Sequence, residues 1–97
     1  MVEVVESATF KAWFSGLRDR QARARIDARI RRLSLGNAGD VKAIGDGVSE
    51  LRIDYGPGYR VYFTRRAALL VMLLCGGDKR TQDADIRRAI KMVSELE

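Results

Sequence analysis

Apolar positions along the chain change their period several times, and each change marks an element. Met1 to Val5 alternates weakly, as a short strand does. Phe10, Trp13, Phe14 and Leu17 then recur at helical spacing behind Ser7 and Thr9, either of which can cap a first helix. Past Gly16, Asp19 is placed to cap a longer helix whose apolar stripe is Ala22, Ile26, Ile30 and Leu33, with Gly36 positioned to stop it. The stretch GNAGDVKAIGDG is rich in Gly, Asn and Asp and reads as a loop around a short edge strand at Val41 to Ile44.

From Val48 the period falls to two. Leu51 and Ile53 alternate with Glu50, Arg52 and Asp54; beyond the GPG turn, Val61 and Phe63 alternate with Arg60 and Tyr62, which predicts a hairpin. The run ALLVMLLC, Ala68 to Cys75, is apolar on both faces and too short for a helix, so it predicts a central strand covered on both sides. Gly76 and Gly77 end it, and Asp78, Lys79 and Arg80 form a charged elbow. Thr81 or Asp83 then caps a last helix with Ile86, Ala89, Ile90 and Val93 on one side.

Helices followed by a run of strands and a closing helix predict an α+β fold. Two N-terminal helices and a C-terminal helix are expected on one face of a mostly antiparallel sheet of three to five strands, leaving the other face open. The expected core is Phe10, Trp13, Phe14, Leu17, Ile26, Ile30, Leu51, Val61, Leu70, Met72 and Leu74. No repeat or linker interrupts the pattern, so one domain over residues 1–97 is expected.

Charge adds a direction to this picture. Eighteen Lys and Arg against thirteen Asp and Glu give a formal charge of +5, which favours a polyanionic partner, although a merely solvated basic surface accounts for charge alone equally well. Much of the excess stands on the second helix and its approach, as Arg18, Arg20, Arg23, Arg25, Arg29, Arg31 and Arg32, relieved by Asp19 and Asp27. Such a helix is either a solvated face or a grip on phosphates or an acidic partner segment.

The chain has no histidine, which excludes His-based acid–base catalysis, Ser-His and Cys-His triads and almost every transition-metal site. Neither a metal nor a cofactor is expected. Its single cysteine, Cys75, rules out an internal disulfide and, within an apolar run, reads as a small buried hydrophobe of a reducing compartment. The longest apolar run, Ala67 to Cys75, is about half of what a membrane-spanning helix needs, and no signal peptide precedes it, so a cytoplasmic protein without membrane contact is expected.

The most specific constellation is Arg52, Arg60 and Tyr62 on adjacent strands with Lys79, Arg80 and Gln82 at the elbow. Alternation puts Arg60 and Tyr62 on one sheet face, and a hairpin loop of odd length adds Arg52, whereas Tyr59 turns towards the core. Like charges side by side on a sheet repel, unless an anion or the carboxylates of Glu50 and Asp54 compensate. The plainer alternative pairs Arg52 with Glu50 or Asp54 and leaves Arg60 as surface decoration. Gly76 and Gly77 before a helix offer backbone N–H groups to an anion, without P-loop spacing. RNA cleavage by the ribose 2′-hydroxyl suits such a site, because it requires no metal and its transition state gathers negative charge that fixed guanidinium and ammonium groups stabilise. It also needs an acid and a base, which the pattern leaves unassigned.

The strings GVSELRIDYGPGYRVYF and LLCGGDKRTQDADIRRA, and upstream FKAWFSGLRDRQARARIDARIRRLSLGNAGDVKAIGDG, resemble the RelE/ParE superfamily, in particular phage Gp49-like, HigB-type addiction-module killer proteins. The resemblance covers nearly the whole chain. It implies a compact α+β toxin of a type II toxin–antitoxin system, an antitoxin of helix-turn-helix type, and ribosome-dependent cleavage of mRNA without metal. It further implies that Arg60, in GPGYR, stabilises the scissile phosphate and that Lys79 or Arg80 supplies the basic residue after the last strand. Arg52, Tyr62 and Gln82 are the expected RNA contacts beside these catalytic candidates. Where RelE carries a catalytic tyrosine this chain has Asp85, Ile86 and Arg87, and the histidine often used by HigB proteins is absent. Two alternatives stay open: a ParE-like topoisomerase inhibitor without nuclease activity, and an inactive module that binds only its antitoxin.

Overall fold

The computed structural model describes residues 1–96. The elements are β1 (Glu3–Glu6), α1 (Ala8–Ser15), α2 (Arg20–Ser34), β2 (Val41–Gly45), β3 (Val48–Ile53), β4 (Tyr59–Ala67), β5 (Leu70–Gly77), a 3₁₀ turn (Lys79–Thr81) and α3 (Gln82–Glu95). They form an α+β architecture around one five-stranded sheet of order β1-β5-β4-β3-β2. β1 runs parallel to β5, and the remaining pairs are antiparallel. None of the described helices is long and apolar enough to cross a membrane.

Local chemistry accounts for the helix boundaries. Ser7 caps α1 by accepting from the Phe10 N–H, and Asp19 caps α2 by accepting from Gln21 and Ala22. At the far end of α2 the Asn37 N–H reaches back to the Arg32 carbonyl while Gly36 adopts a φ of +86°, so the expected stop is present one residue past Leu35. Thr81 precedes α3, but its hydroxyl donates to Asp85 instead of capping the helix, and Asp78 caps the 3₁₀ turn.

The helices divide between the two sheet faces, which corrects the expectation of one covered face and one open face. α1 and α2 bury Phe10, Ile26 and Leu33 against Leu51, Ile53, Val61, Phe63, Val71 and Leu73. On the opposite face Ala89 of α3 packs with Val48, Tyr62, Leu74 and Cys75, joined by Ile86, Ile90 and Val93. The apolar runs of β4 and β5 require this arrangement, because consecutive residues point to opposite faces and both faces are therefore hydrophobic. Of the expected core, Phe10, Ile26, Leu51, Val61 and Leu74 are fully buried, whereas Trp13, Phe14, Leu17, Ile30 and Met72 flank the clusters. Leu70 is only half-buried at the start of β5, and Val71, Leu73 and Cys75 take the positions without exposure.

The glycine pair ending β5 lets the helices approach on both sides. A Cβ on Gly76 would stand 2.3 Å from the Trp13 ring, and one on Gly77 would stand 1.8 Å from the Asp85 carboxylate. Both glycines also pair with β4, Gly76 with Val61 and Gly77 with Arg60. They are packing positions within the ladder, which explains them without the anion role considered from sequence.

Candidate functional site

The β3–β4 register sets Arg52 opposite Arg60 and Glu50 opposite Tyr62. All four side chains stand on the face that carries α3. Tyr62 is covered by that helix, Arg60 is buried at 8% exposure, and the Arg52 side chain is about a third exposed. Arg52, Arg60 and Lys79 line one groove of about 560 Å³ together with Asp40, Asp54 and the hairpin residues Gly56, Pro57 and Gly58.

Three further contacts hold that groove in shape. Gly58, with φ +82°, lets the aliphatic stem of Lys79 pass over the hairpin, where a Cβ would lie 3.1 Å from Lys79 Cγ. Arg29 of α2 donates to the carbonyls of Arg52, Ala38 and Asp40, which ties the backbone of Arg52 to the loop before β2. Tyr55 donates from its hydroxyl to Asp19 at 3.0 Å and lies under the Arg25 guanidinium, fastening the hairpin to the start of α2.

Beneath the groove is a polar cluster centred on Glu50, which has no exposure. Its Oε1 accepts from Arg52 Nε at 3.1 Å; its Oε2 accepts from the Tyr62 hydroxyl at 2.9 Å and from Gln82 Nε2 at 2.8 Å, with Arg60 Nε 3.9 Å away. Burial alone would push this carboxyl up, but the hydrogen bonds from Gln82, Tyr62 and Arg52 and the Arg60 charge outweigh it and hold it below the ordinary glutamate range. Tyr62 is pushed upward by burial and by the neighbouring Glu50 carboxylate, so it stays a neutral donor.

The six residues singled out in the sequence therefore separate. Arg52, Arg60 and Lys79 meet in the groove. Tyr62 has no exposure and belongs to the layer below, which corrects its expected place on an open face. Gln82 lies in the same layer, bonded to Glu50. Arg80 projects into solvent, 81% exposed, and pairs with Asp78 at 3.0 Å instead of lining the groove. Cys75 is buried, and burial pushes its thiol up to about 12, consistent with an inert core position.

Two features were not predicted from the residue pattern. Asp40 enters the groove from the loop before β2, a region whose sequence reads only as loop. Glu50 lies at the centre of the buried cluster: its pairing with Arg52 was one of the alternatives read from the sequence and is present, but its central, buried place was not foreseen because the face was expected to be open. A second groove, of about 600 Å³, lies between β1 and α2 and is lined by Val4, Ala24, Ala28 and Ile30 with Asp27, Arg31 and Ser34. Arg31 is its only cation, so the Arg52–Arg60–Lys79 groove is the better match for a phosphate.

The molecule is thus a small α+β domain in which two strand arginines and the elbow lysine converge on one groove. The profile described as phage-derived protein Gp49-like (DUF891) matches residues 12–94, and the chain belongs to that family, which is part of the RelE/HigB-type toxin group. An uncharacterized protein of Haemophilus influenzae is 50% identical over 95 residues, spanning 98% of this chain and 96% of its own length. No solved structure gives a significant match. Family membership suggests a toxin of a toxin–antitoxin pair and implies an antitoxin partner.

Proposed function

We propose that the protein is a metal-independent endoribonuclease that cuts mRNA on the ribosome, and that the groove of Arg52, Arg60 and Lys79 is its active site. The observation that carries this reading is the convergence of those three cations on one groove also lined by the carboxylates of Asp40 and Asp54. In the proposed reaction the ribose 2′-oxygen attacks the adjacent phosphorus, the P–O5′ bond breaks, and a 2′,3′-cyclic phosphate and a free 5′-hydroxyl result. Arg60, with Arg52 beside it, stabilises the charge that builds on the phosphoryl oxygens. Glu50 is engaged below and Tyr62 is held neutral, so the 2′-hydroxyl proton passes to Asp54 or Asp40. Lys79 gives a proton to the leaving 5′-oxygen. The exposed arginines Arg25 and Arg32 of α2 flank Asp54 on its other side and extend the cationic surface along an RNA backbone. A helix-turn-helix antitoxin and a cytoplasmic setting belong to the same reading.

Primer extension on cellular messages after brief induction tests it. Codon-linked breaks with wild-type protein and none with Arg60→Ala are expected. Intact messages accompanied by DNA-damage signalling would instead identify a topoisomerase inhibitor, and intact messages without any growth effect would leave an antitoxin-binding module.

A further inference from the structure

Glu50 is an unusual residue for the middle of a strand, a carboxylate without exposure beneath a groove of cations. Burying a charge is costly unless it is paired and hydrogen-bonded, and an apolar residue of similar volume often serves stability as well or better. Its presence therefore calls for a duty beyond filling space. The contacts indicate which one. Both arginines turn the Nε edge of the guanidinium towards Glu50, Arg52 at 3.1 Å from Oε1 and Arg60 at 3.9 Å from Oε2. The Nη atoms of the two arginines have no hydrogen-bond partner among the described residues, and both residues line the groove. An Arg whose Nε edge faces a carboxylate still has the end-on pair of Nη donors free, one of the arrangements by which a guanidinium binds two oxygens of a phosphate.

We propose that Glu50 is the positioning residue of the site, a buried counter-charge that lets Arg52 and Arg60 stand side by side and aims both guanidinium groups into the groove. This rests on the groove being a phosphate site, as in the nuclease reading above. The two arginines are held differently. Arg52 has its Nε satisfied by Oε1. Oε2 already accepts from Tyr62 and Gln82, and Arg60 Nε is buried without a hydrogen-bond partner among the described residues. Arg60 thus feels the Glu50 field without being closed into a tight pair, which keeps its charge available to an incoming anion. Gln82 and Tyr62 serve by fixing the carboxylate itself, and Gln82 does so from the first turn of α3.

A purely structural ion cluster makes a different prediction, loss of stability with no change in the properties of the folded fraction. The test uses the full chain with Glu50→Gln, inorganic phosphate as the probe ligand, and NMR of the arginine Nε–Hε groups. Wild-type protein should show an ordered Arg60 Nε–Hε signal that shifts on adding phosphate. In Glu50→Gln the signal should lose order and phosphate binding should weaken about tenfold. On programmed ribosomes the cleavage kcat should fall roughly 10- to 100-fold, the scale of a catalytic group misplaced by about an ångström, with little change in KM. In an Arg60→Ala background, Glu50→Gln should cause a smaller further loss of activity than it does in the wild-type chain, because the part of its effect exerted through Arg60 is already gone and only the part through Arg52 remains.

A folded Glu50→Gln protein with unchanged Arg60 order and wild-type phosphate binding would overturn the proposal, as would fully additive losses with Arg60→Ala. If Glu50→Gln does not fold, Glu50→Asp keeps the charge but withdraws it by one methylene. Reduced Arg60 order then supports the proposal, and unchanged order rejects it. Ordered, phosphate-responsive arginines in a wild-type protein that cuts no RNA would support the positioning role while removing the nuclease reading.

Discussion

Lys79 reaches the groove by lying across Gly58, whose missing side chain leaves room for the lysine stem 3.1 Å from where a Cβ would stand. Gly58→Ala adds both that contact and a methyl group at φ +82°, a backbone setting that costs an L-residue about 1–2 kcal/mol. The expected outcome is a modest drop in the unfolding midpoint together with a loss of message cleavage larger than the stability change explains. Chemical denaturation and cleavage assays on the same preparation check it.

Arg60→Ala should abolish growth arrest and message cleavage while leaving antitoxin binding intact. One lost charge-assisted contact to the transferring phosphate is worth about 100- to 1000-fold in rate. Arg60→Lys should restore only part of the activity, because an ammonium cannot form the two-oxygen fork. Induction growth curves, cleavage rates and melting curves of both variants provide the measurement.

The glycine pair gives a stability prediction independent of function. Gly77→Ala places a methyl group 1.8 Å from the Asp85 carboxylate, and Gly76→Ala places one 2.3 Å from the Trp13 ring, so in each variant the packed side chain or the helix that carries it must shift. Both variants should be strongly destabilised or insoluble. Gly45→Ala, at φ +114° with no atom within 4 Å of an added Cβ, should carry backbone strain alone and lose less. Thermal melting of the three variants separates steric from conformational cost.

Acid should weaken the fold in part through Glu50. Its carboxyl is held below the ordinary glutamate value of about 4.3, so the folded state binds this proton less readily than the unfolded chain. The resulting stabilisation is fully present above the ordinary value and disappears as pH falls through the depressed folded value. Glu50→Gln should therefore reduce the slope of stability against pH below about pH 4.3 without abolishing it. Asp19, held down by backbone N–H groups led by that of Ala22, and Asp78, held down by the Arg80 side chain, contribute in the same direction. Urea midpoints across the acid range in both proteins read the difference.

Leu73→Ala and Ile26→Ala should each cost about 2–5 kcal/mol, because both side chains are without exposure in the cluster between the sheet and the first two helices. Equilibrium unfolding at neutral pH is the check, and near-wild-type midpoints would refute this assignment of the core.

Much of this architecture was legible in the sequence because local chemistry decided it. Ser7 and Asp19 announce helix starts, Gly36 a stop, and the alternation around Leu51 and Val61 the hairpin, whereas the register that sets Arg52 opposite Arg60 depended on a loop length that only the structure supplies. The apolar run of β5 announced cover on both of its faces, but pattern did not yield which helix supplies it on which face. An amphipathic helix such as α3 shows that it has an apolar side without showing which sheet face receives it. That uncertainty propagated to the site: with α3 on the second face, Tyr62 and Gln82 lie beneath the groove, and Glu50 holds the cluster together. Arg80 was indistinguishable from Lys79 in sequence, since the turn geometry that sends one to Asp78 and the other over Gly58 depends on both elements being in place.

The parallel seam between β1 and β5 sets an order of events in folding. Strands β2 to β5 can zip by successive hairpins, whereas Glu3 must find Leu70 across almost the whole intervening chain. Contacts of such sequence separation form slowly. On sequence separation alone β1 is the strand expected to seat last, and until it does its backbone is open to pairing with a wrong neighbour. Its sequence, EVVE, has a glutamate at each end of two valines. Charges so placed discourage edge-to-edge association. They guard the segment until its own partner exists.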